Sequence, residues 1–377
     1  MRLGVLLPHR GVVIQSARRP PVEQCWTIAR MADAAGMDVW VGDSIVAKPR
    51  LEPLTTLAYL AALTQRARLG TAILLPALRQ PTVLAGALAN IDQISQGRLV
   101  LGLGVGWKLP AIEREWEACG RVHKKRVKDL EEHVTVWRKL WSGEPVTYQG
   151  SDFKLTDHTI GPLPWNEAGP PLLVTAGNRG EIIPAQIERV GKFGDGVVTT
   201  YVTEDDIRKL RELCRAAMEK HGRGSTGFST CVYTTVRLEN DAAKAEALTT
   251  DFLNKYYGGG VNFRGMMGLG PASAVIDVLN DAFAAEKVLD HGDLGPEPVQ
   301  QLTGPRLVGL ERALVRRVAA VDRPAIAHQR VVDLLLVEHR LHAAVHAPLL
   351  NRCARISPVS HSPEVILSLW AGNTTRH

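Results

Sequence analysis

The chain has 377 residues and a formal net charge of +6, with 45% hydrophobic and 22% charged side chains. Its length exceeds the roughly 100–200 residues of a typical single-core domain, which predicts either two domains or one large α/β barrel. The composition excludes collagen-like, coiled-coil and fully disordered chains, and the small excess of basic residues argues against a nucleic-acid surface.

Apolar runs and cysteines indicate the cellular setting. No apolar run reaches the roughly 20 residues that span a bilayer, and the N-terminal run soon meets Pro8, His9 and Arg10. The five cysteines are scattered without a Cys-x-x-Cys pair, which is typical of a reducing compartment rather than of a disulfide scaffold or a zinc ribbon. We therefore expect a soluble, cytoplasmic protein that binds no membrane, no nucleic acid and no metal.

Short β-branched runs alternate with amphipathic segments along residues 1–286, which is the pattern of parallel βα units. The predicted strands are residues 3–7, 39–42, 68–75, 98–104, 172–175, 196–201 and 231–237. The predicted helices are residues 22–35, 54–65, 81–94, 127–141 and 205–221. The Gly/Pro-rich segment 142–171 is expected to lie outside the sheet.

Parallel strands joined by helices form either a doubly wound sheet or a barrel. A dinucleotide-binding sheet needs Gly-x-Gly-x-x-Gly after its first strand, whereas Pro8-His-Arg-Gly11 stands there, and the cluster Gly102-Leu-Gly-Val-Gly106 follows the fourth strand. A TIM (β/α)8-type barrel of the α/β class fits the pattern better. Ligands bind such barrels at the carboxyl ends of the strands, so the residues after each strand are the candidate site.

Motifs at these strand ends resemble a known family. They are Trp40-Val-Gly-Asp43, Arg68-Leu-Gly-Thr-Ala-Ile-Leu-Leu-Pro76, Asp92-Gln-Ile-Ser-Gln-Gly-Arg98, Leu101-Gly-Leu-Gly-Val-Gly-Trp107, Leu140-Trp-Ser-Gly143, Gly161-Pro-Leu-Pro164, Pro170-Pro-Leu-Leu-Val-Thr-Ala-Gly177 and Gly194-Asp-Gly196. In this order they resemble the luciferase-like family of flavin- or deazaflavin-dependent oxidoreductases. Each motif alone is weak, and the ordered set is specific. The resemblance covers residues 1–286 and implies a TIM-barrel enzyme.

Two residues at strand ends are the candidate catalytic residues, His9 from its position and Asp43 from the resemblance; relatives vary at the position of His9, which favours a binding role there. His9 follows the first strand, where an imidazole can bind a substrate oxygen or move a proton. Asp43 follows the second strand, where a carboxylate can hydrogen-bond a cofactor ring, and a helix N-cap is the alternative role for this residue. Many deazaflavin-using relatives have His at the next position, which is Ser44 here.

The cofactor-binding residues implied by the resemblance come from four strand ends. Relatives carry a β-bulge with a non-proline cis peptide behind the flavin ring, here between Ala72 and Ile73. The cofactor phosphate is expected in the loop after the fifth strand, where backbone N–H groups and Arg179 are donors, and after the sixth strand. The expected set is Thr71, Ala72, Ile73, Gly106, Trp107, Ala176, Gly177, Asn178, Arg179, Thr199 and Thr200.

Some features allow two interpretations. Gly102, Gly104 and Gly106 either admit a planar ring to the backbone or allow close packing, and Trp107 either walls the ring pocket or covers the core. The Gly-rich segment 256–264 is a candidate substrate lid or phosphate contact, although any flexible loop has this composition. His123 and His133 are expected on the surface.

Two reactions fit this scaffold. The first expectation is a monooxygenase that acts on a small organic substrate with reduced FMN and oxygen. The alternative is an oxidoreductase that transfers a hydride between coenzyme F-420 and a carbon atom. Gly106-Trp107 lacks the acidic residue that some deazaflavin sugar dehydrogenases have after the glycines. An inactive flavin-binding or interaction protein is the alternative of another class. A flavin or F-420 reductase and a second copy of the chain, forming a homodimer, are the expected protein partners.

Residues 287–377 form an atypical tail. From residue 288 onward there is no Lys, Tyr or Phe, yet seven of the twelve histidines lie there. No β-branched run of strand length directly follows residue 286, which leaves the eighth strand of the barrel in doubt, and the tail is expected to be helical or poorly ordered. His339, His342 and His346 share one helix face without a matching carboxylate or Cys, so no metal site is predicted. An altered reading frame or a replaced C-terminus would explain these features.

Overall fold

The computed structural model describes residues 2–257, 267–271, 273–275, 277–279 and 365–371. The chain divides into two compact units, the first of Met1–Thr200, Lys209–Tyr233 and Ser368–His377 and the second of Tyr201–Arg208 and Thr234–Leu367. Within the described ranges, the helices are all too short or too polar to cross a bilayer.

Strands and helices alternate along the chain. The strands are β1 (Arg2–Leu6), β2 (Asp38–Val41), β3 (Leu69–Leu74), β4 (Leu99–Leu103), β5 (Val146–Gln149), β6 (Lys154–His158), β7 (Leu172–Thr175), β8 (Gly196–Thr200), β9 (Ser229–Leu238), β10 (Gly268–Gly270) and β11 (Val365–Ala371). The α-helices are α1 (His9–Gln15), α2 (Glu23–Ala35), α3 (Pro53–Leu63), α4 (Pro81–Ser95), α5 (Pro110–Ala118), α6 (Arg126–Leu140), α7 (Pro184–Phe193), α8 (Glu204–Lys220) and α9 (Ala242–Tyr257).

The first unit is built on a parallel sheet in which β1, β2, β3, β4, β7 and β8 are neighbours in that order. Gly4 is opposite Asp38 at one end of this row, and Thr200 of β8 is opposite Tyr233 of β9 at the other. In the second unit β10 continues parallel to β9, with Gly268 opposite Val236. The hairpin β5–β6 is a separate antiparallel sheet, which confirms that segment 142–171 leaves the main sheet.

The strand order assigns a place to the tail strand β11, which lies between β9 and β1. The eighth strand was in doubt because no run of strand length directly follows residue 286, and the later apolar run Val365-Ile-Leu-Ser-Leu-Trp-Ala371 forms this strand. The rest of the predicted tail, including His339, His342 and His346, lies outside the described residues. So does segment 258–264 of the predicted lid.

Capping residues explain where the helices begin and end. Pro53 and Pro81 occupy first-turn positions of α3 and α4, and the side chains of Glu52 and Gln80 cap these helices. Gly36 ends α2 in the left-handed conformation, at φ 74°. The predicted strands and helices agree with these bounds to within two residues. Helices α1, α5 and α9 were not predicted, and α5 has few apolar positions to reveal it.

Substitution of Gly102 tests how closely β3 and β4 pack. A Cβ added at Gly102 would overlap the backbone oxygen of Thr71, whereas at Gly86 in α4 it would meet nothing within 4 Å. We expect Gly102→Ala to lower the free energy of unfolding by about 3 kcal/mol, because a backbone atom cannot move aside easily. Gly86→Ala is the control and should raise it by about 0.5–1 kcal/mol through helix propensity. Urea unfolding measures the change in unfolding free energy for both variants, and equal changes would contradict the close packing of Gly102 against Thr71.

Candidate functional site

The carboxyl ends of the parallel strands in the first unit lie at the same edge of the sheet, and contacts link the predicted segments there. The Arg179 guanidinium lies 4.9 Å from the centre of the Trp107 ring, which joins the loop after β7 to the loop after β4. A Cβ at Gly42 would lie 2.5 Å from Arg50 Nη1 and 3.5 Å from Ala72 O, which joins the end of β2 to β3. Trp107 is 37% exposed and therefore does not cover the core.

A bulge interrupts the end of β3. The register between β3 and β4 shifts between Thr71 and Leu74, and the Ala72–Ile73 peptide is cis, as the resemblance implied. Thr71 Oγ1 donates to Gly102 O over 2.8 Å, and a Cβ at Gly104 would overlap Ile73. Gly102 and Gly104 thus accommodate the bulge itself, which is the close-packing interpretation.

Gly106 adopts φ 72° just beyond β4, where a Cβ would lie 2.8 Å from Trp116 Cη2. The side-chain space at this glycine is therefore filled by the indole of Trp116, which is fully buried on α5. The Gly106 backbone therefore packs against this indole, one residue before Trp107.

His9 joins the ends of β1 and β2. Its side chain is buried, Nδ1 lies 2.8 Å from Leu7 O, and Gly42 N–H donates to Nε2 over 3.1 Å. Burial, and then the charge of Arg50, lower the pKa of His9 to about 4, against the backbone hydrogen bonds, which raise it. The neutral tautomer with Nδ1–H donating to Leu7 O satisfies both nitrogens.

Acid is expected to remove the stability that neutral His9 provides. Its pKa is about 4 in the folded chain and about 6.5 when unfolded, so the unfolded state binds the proton first as the pH falls. The contribution of His9 to the unfolding free energy is fully present above pH 6.5. It is lost as the pH falls from 6.5 to 4, and the total loss is about 3 kcal/mol, at about 1.4 kcal/mol per pKa unit. The difference in unfolding free energy between the wild type and His9→Asn should therefore narrow from pH 7 to pH 4. A constant difference would contradict a buried neutral imidazole.

Asp43 joins the end of β2 to the segment after β3. Its fully buried carboxylate accepts two hydrogen bonds from Arg79, from Nη1 over 2.6 Å and from Nη2 over 3.0 Å, and a third from Leu75 N–H over 2.9 Å. Burial alone would lower the pKa of Arg79, but the hydrogen bonds and charges of Asp43 and Glu52 outweigh it and raise that pKa. The N-cap role belongs to Glu52 instead, so the alternative interpretation of Asp43 is wrong.

Glu115 of α5 is a site residue that was not predicted. Its Oε1 accepts hydrogen bonds from the Ser44 hydroxyl at 2.7 Å and from three consecutive backbone N–H groups, those of Ile45, Val46 and Ala47, at 2.5, 2.8 and 3.1 Å. The residue is 1% exposed, and Oε2 is buried without a hydrogen-bond partner. Ile112, Glu115 and Trp116 share the buried face of α5, so a carboxylate at an apolar position was the available signal.

The loop after β7 contains three residues with positive φ values. Gly177, Arg179 and Gly180 have φ values of 68°, 60° and 73°, a combination that makes a concave backbone. Gly177 N–H donates to Gln186 Oε1, and Gly180 N–H donates to Gly177 O. The loop forms a 3-10 turn over Asn178–Gly180, and α7 begins only at Pro184, so the predicted helix does not follow it directly.

Ala176 and the two threonines of β8 lie beside this loop. Ala176 is buried and its N–H donates to Val198 O over 3.3 Å. Thr200 Oγ1 donates to Tyr233 O over 3.1 Å, whereas Thr199 Oγ1 is buried and has no hydrogen-bond partner among the described residues. Because buried hydroxyl groups nearly always find partners, Thr199 Oγ1 is suited to a ligand atom.

His123 and His133 are not surface groups. His133 is fully buried, with Nδ1 2.6 Å from Asp129 O and Nε2 3.0 Å from Arg79 O, while His123 is 8% exposed. The prediction was wrong because both imidazoles lie in the interior, where backbone carbonyl oxygens take the place of water as their hydrogen-bond partners. His133 thereby supports the backbone of Arg79, the partner of Asp43.

Comparisons with known proteins agree with this geometry. The family model described as luciferase-like monooxygenase matches residues 1–328, which extends past residue 286. The F-420-dependent glucose-6-phosphate dehydrogenase of Mycolicibacterium fortuitum is 31% identical over 233 residues, which cover 58% of this chain and 65% of that protein. The chain thus spans less than two thirds of that relative.

Two solved structures share the fold. The monooxygenase RslO1 of Streptomyces bottropensis has a TM-score of 0.63 and 24% identity, over 76% of this chain and 89% of that one. The oxygenating constituent of 3,6-diketocamphane monooxygenase from Pseudomonas putida, solved with FMN, has a TM-score of 0.57 and 18% identity, over 76% and 88%. The predicted α/β TIM-barrel class is confirmed.

Proposed function

Because the chain belongs to the luciferase-like monooxygenase family and is thus an oxidoreductase, we propose that it transfers a hydride between coenzyme F-420 and a carbon atom of a small organic substrate. The contact of Arg179 with Trp107 supports a site for a cofactor that has both a ring system and a phosphate, because it brings the phosphate-binding candidate next to the candidate wall of the ring site. The relative at 31% identity supports F-420 as the cofactor.

The cofactor would supply the redox chemistry, and the chain would supply binding, orientation and exclusion of water. Ala72, Ile73 and Trp107 would border the ring. Asn178, Arg179 and Thr199 would hold the phosphate, since the loop backbone has positive φ values that favour a concave shape and Thr199 Oγ1 has no partner in the part of the chain that the structure describes.

His9 and Asp43 would act by positioning. His9 holds Gly42 through its neutral ring, and the low pKa of the ring keeps it from serving as an acid near neutral pH. Asp43 holds Leu75 and Arg79. Together they set the distance between the ends of β1, β2 and β3, on which the width of a ring site depends.

An FMN-dependent monooxygenase is the second candidate. Ser44 stands where many deazaflavin-using relatives have His, and its hydroxyl is taken by Glu115. That departure removes a ring-facing histidine from the site and favours reduced FMN with oxygen, supplied by a flavin reductase. A homodimer remains part of the proposal for either cofactor.

Fluorescence titration with F-420 and, separately, with reduced FMN under exclusion of oxygen tests the proposal. We expect saturable F-420 binding that weakens about tenfold in Arg179→Gln, the loss of one charge-assisted hydrogen bond. Arg30→Gln removes an exposed ion pair on α2 and should leave binding unchanged. Tighter binding of FMN would replace the first candidate with the second. Binding of neither would overturn both and favour an inactive or interaction protein.

A further inference from the structure

Apolar side chains are exposed on the two loops that pack against α5. Ile45 and Val46 are 44% and 54% exposed in the loop after β2, and Trp107 and Leu109 are each 37% exposed in the loop after β4. These are four of the twelve large apolar side chains that are exposed among the described residues. Single exposed apolar side chains are common anywhere, whereas several gathered in one place indicate a surface that binds something.

The loop after β2 is held to α5 through its backbone. Glu115 Oε1 accepts hydrogen bonds from the N–H groups of residues 45–47 over 2.5, 2.8 and 3.1 Å. A buried carboxylate thus takes up three polar groups of an exposed loop. The side chains of Ile45 and Val46 stand in solvent on a backbone that is fixed before any ligand arrives, which lowers the entropy cost of binding.

The loop after β4 is held to the same face of α5. A Cβ at Gly106 would lie 2.8 Å from Trp116 and 3.4 Å from Ile112, which share the buried face of this helix with Glu115. Leu109 is the N-cap residue of α5 and precedes Glu115 by six residues, about 9 Å along the helix axis. The two loops are therefore neighbours on one helix, at a separation that one small molecule can span.

This apolar surface is continuous with the proposed ring site. Ala47 and Ile73 both pack against one buried cluster, which is formed by Leu75, Ala77, Leu78, Ile112 and Trp116. Ile73 is the partly exposed residue of the bulge that would border the ring. The same cluster thus supports the bulge of the ring site and the loop that carries Ile45 and Val46.

We propose that Ile45, Val46 and Leu109 bind an uncharged hydrocarbon portion of the substrate beside the cofactor. Each CH2 group that leaves water on such a surface strengthens binding, by about fourfold when it is fully buried. The assignment of the hydrocarbon to a substrate rests on the proposed function, because the surface adjoins the proposed ring site. The binding of hydrocarbon by these three side chains does not depend on it.

Alkanols test this surface without cofactor and without activity. The full chain is labelled with carbon-13 in the methyl groups of Ile, Leu and Val, and Val46→Thr and Val83→Thr identify the NMR signals of these two valines. We expect n-butanol, n-hexanol and n-octanol to shift the Val46 signals saturably, with an affinity that rises about two- to fourfold per added CH2 group. Val83 is 72% exposed on α4 and is the matched control, whose signals should not shift. No saturable shift at Val46, or an equal shift at Val83, would overturn the proposal.

The same two variants measure the contribution of one side chain. Val46→Thr keeps the shape of the side chain and replaces a methyl group with a hydroxyl. Followed on the Leu109 signals, which Leu109→Met identifies, octanol binding should weaken about fourfold in Val46→Thr and stay unchanged in Val83→Thr. Both valines are more than half exposed, so the urea midpoints of both variants should equal that of the wild type. Equal octanol affinity of Val46→Thr and the wild type would contradict the role of Val46.

A second arm asks whether the substrate or the cofactor covers the surface. The octanol titration is repeated with the protein saturated by F-420 or FMN. Retained octanol binding assigns the surface to the substrate. Loss of octanol binding in the loaded protein would assign it to the cofactor's own ring and overturn the substrate assignment. Failure of both cofactors to bind would overturn the proposed function and the substrate assignment with it, whereas the response of Val46 to octanol in the unloaded protein would stand.

Discussion

Asp43→Ala is expected to lower the free energy of unfolding by about 3–5 kcal/mol, because it leaves Arg79 with a largely buried charge and one fewer partner. The Arg79 side chain is 14% exposed, so water cannot replace both hydrogen bonds from Asp43. The loss should include the Leu75 N–H bond that holds the end of β3. Urea unfolding of the full chain measures the difference.

The exposed pair of Arg30 and Glu23 offers the matched control. Their side chains are 48% and 70% exposed, so Glu23→Ala should cost no more than about 1 kcal/mol. A double variant, Asp43→Ala with Arg79→Ala, should recover part of the loss because no buried charge remains. If Asp43→Ala costs no more than Glu23→Ala, the ion pair does not join these strand ends.

Glu115→Ala is expected to cost about 3 kcal/mol and to free the loop of residues 44–48. One carboxylate oxygen receives four donors, and hydrogen bonds to a charged group are worth about 1.5–3 kcal/mol each when no water replaces them. Because Ile45 and Val46 are exposed, water will replace some of these bonds, and the total loss of unfolding free energy will be well below the sum of the four bonds. Amide hydrogen exchange should accelerate at Ile45, Val46 and Ala47.

Glu117 of the same helix provides the control for Glu115. It is exposed, so Glu117→Ala should change the unfolding free energy by no more than about 0.5 kcal/mol and leave exchange in the loop unaltered. Unchanged exchange in Glu115→Ala would show that the loop keeps its shape without the carboxylate.

Periodicity and turn residues were enough to predict most of the first unit. The apolar run Leu172–Thr175 is too short for a helix and lies between Pro171 and Gly177, which favours a buried strand, and Gly36 is a residue type that often ends a helix with a positive φ. β11 escaped prediction because its apolar run lies far along the chain from the preceding strand. Local pattern carries no information about which distant segment completes a sheet.

The resemblance found the loops of the candidate site but not the residues that hold them. Asp43 was expected to face a cofactor, and its partner Arg79 lies 36 residues away, a separation that no local motif encodes. Glu115 and His133 are polar residues on buried helix faces, which read as surface groups until their backbone partners are known. The sequence shows that Glu115 shares a helix face with Ile112 and Trp116, but only the structure shows which groups its carboxylate binds.

Hydrogen exchange of the full chain with and without cofactor tests whether the cofactor binds at the strand ends of the first unit. Saturating F-420, or FMN if that cofactor binds more tightly, should slow exchange in residues 42–48, 71–75, 105–108 and 176–181 together. The hairpin β5–β6 should be unaffected and serves as the internal reference. Protection confined to other segments, with these four unchanged, would contradict the assignment of the site.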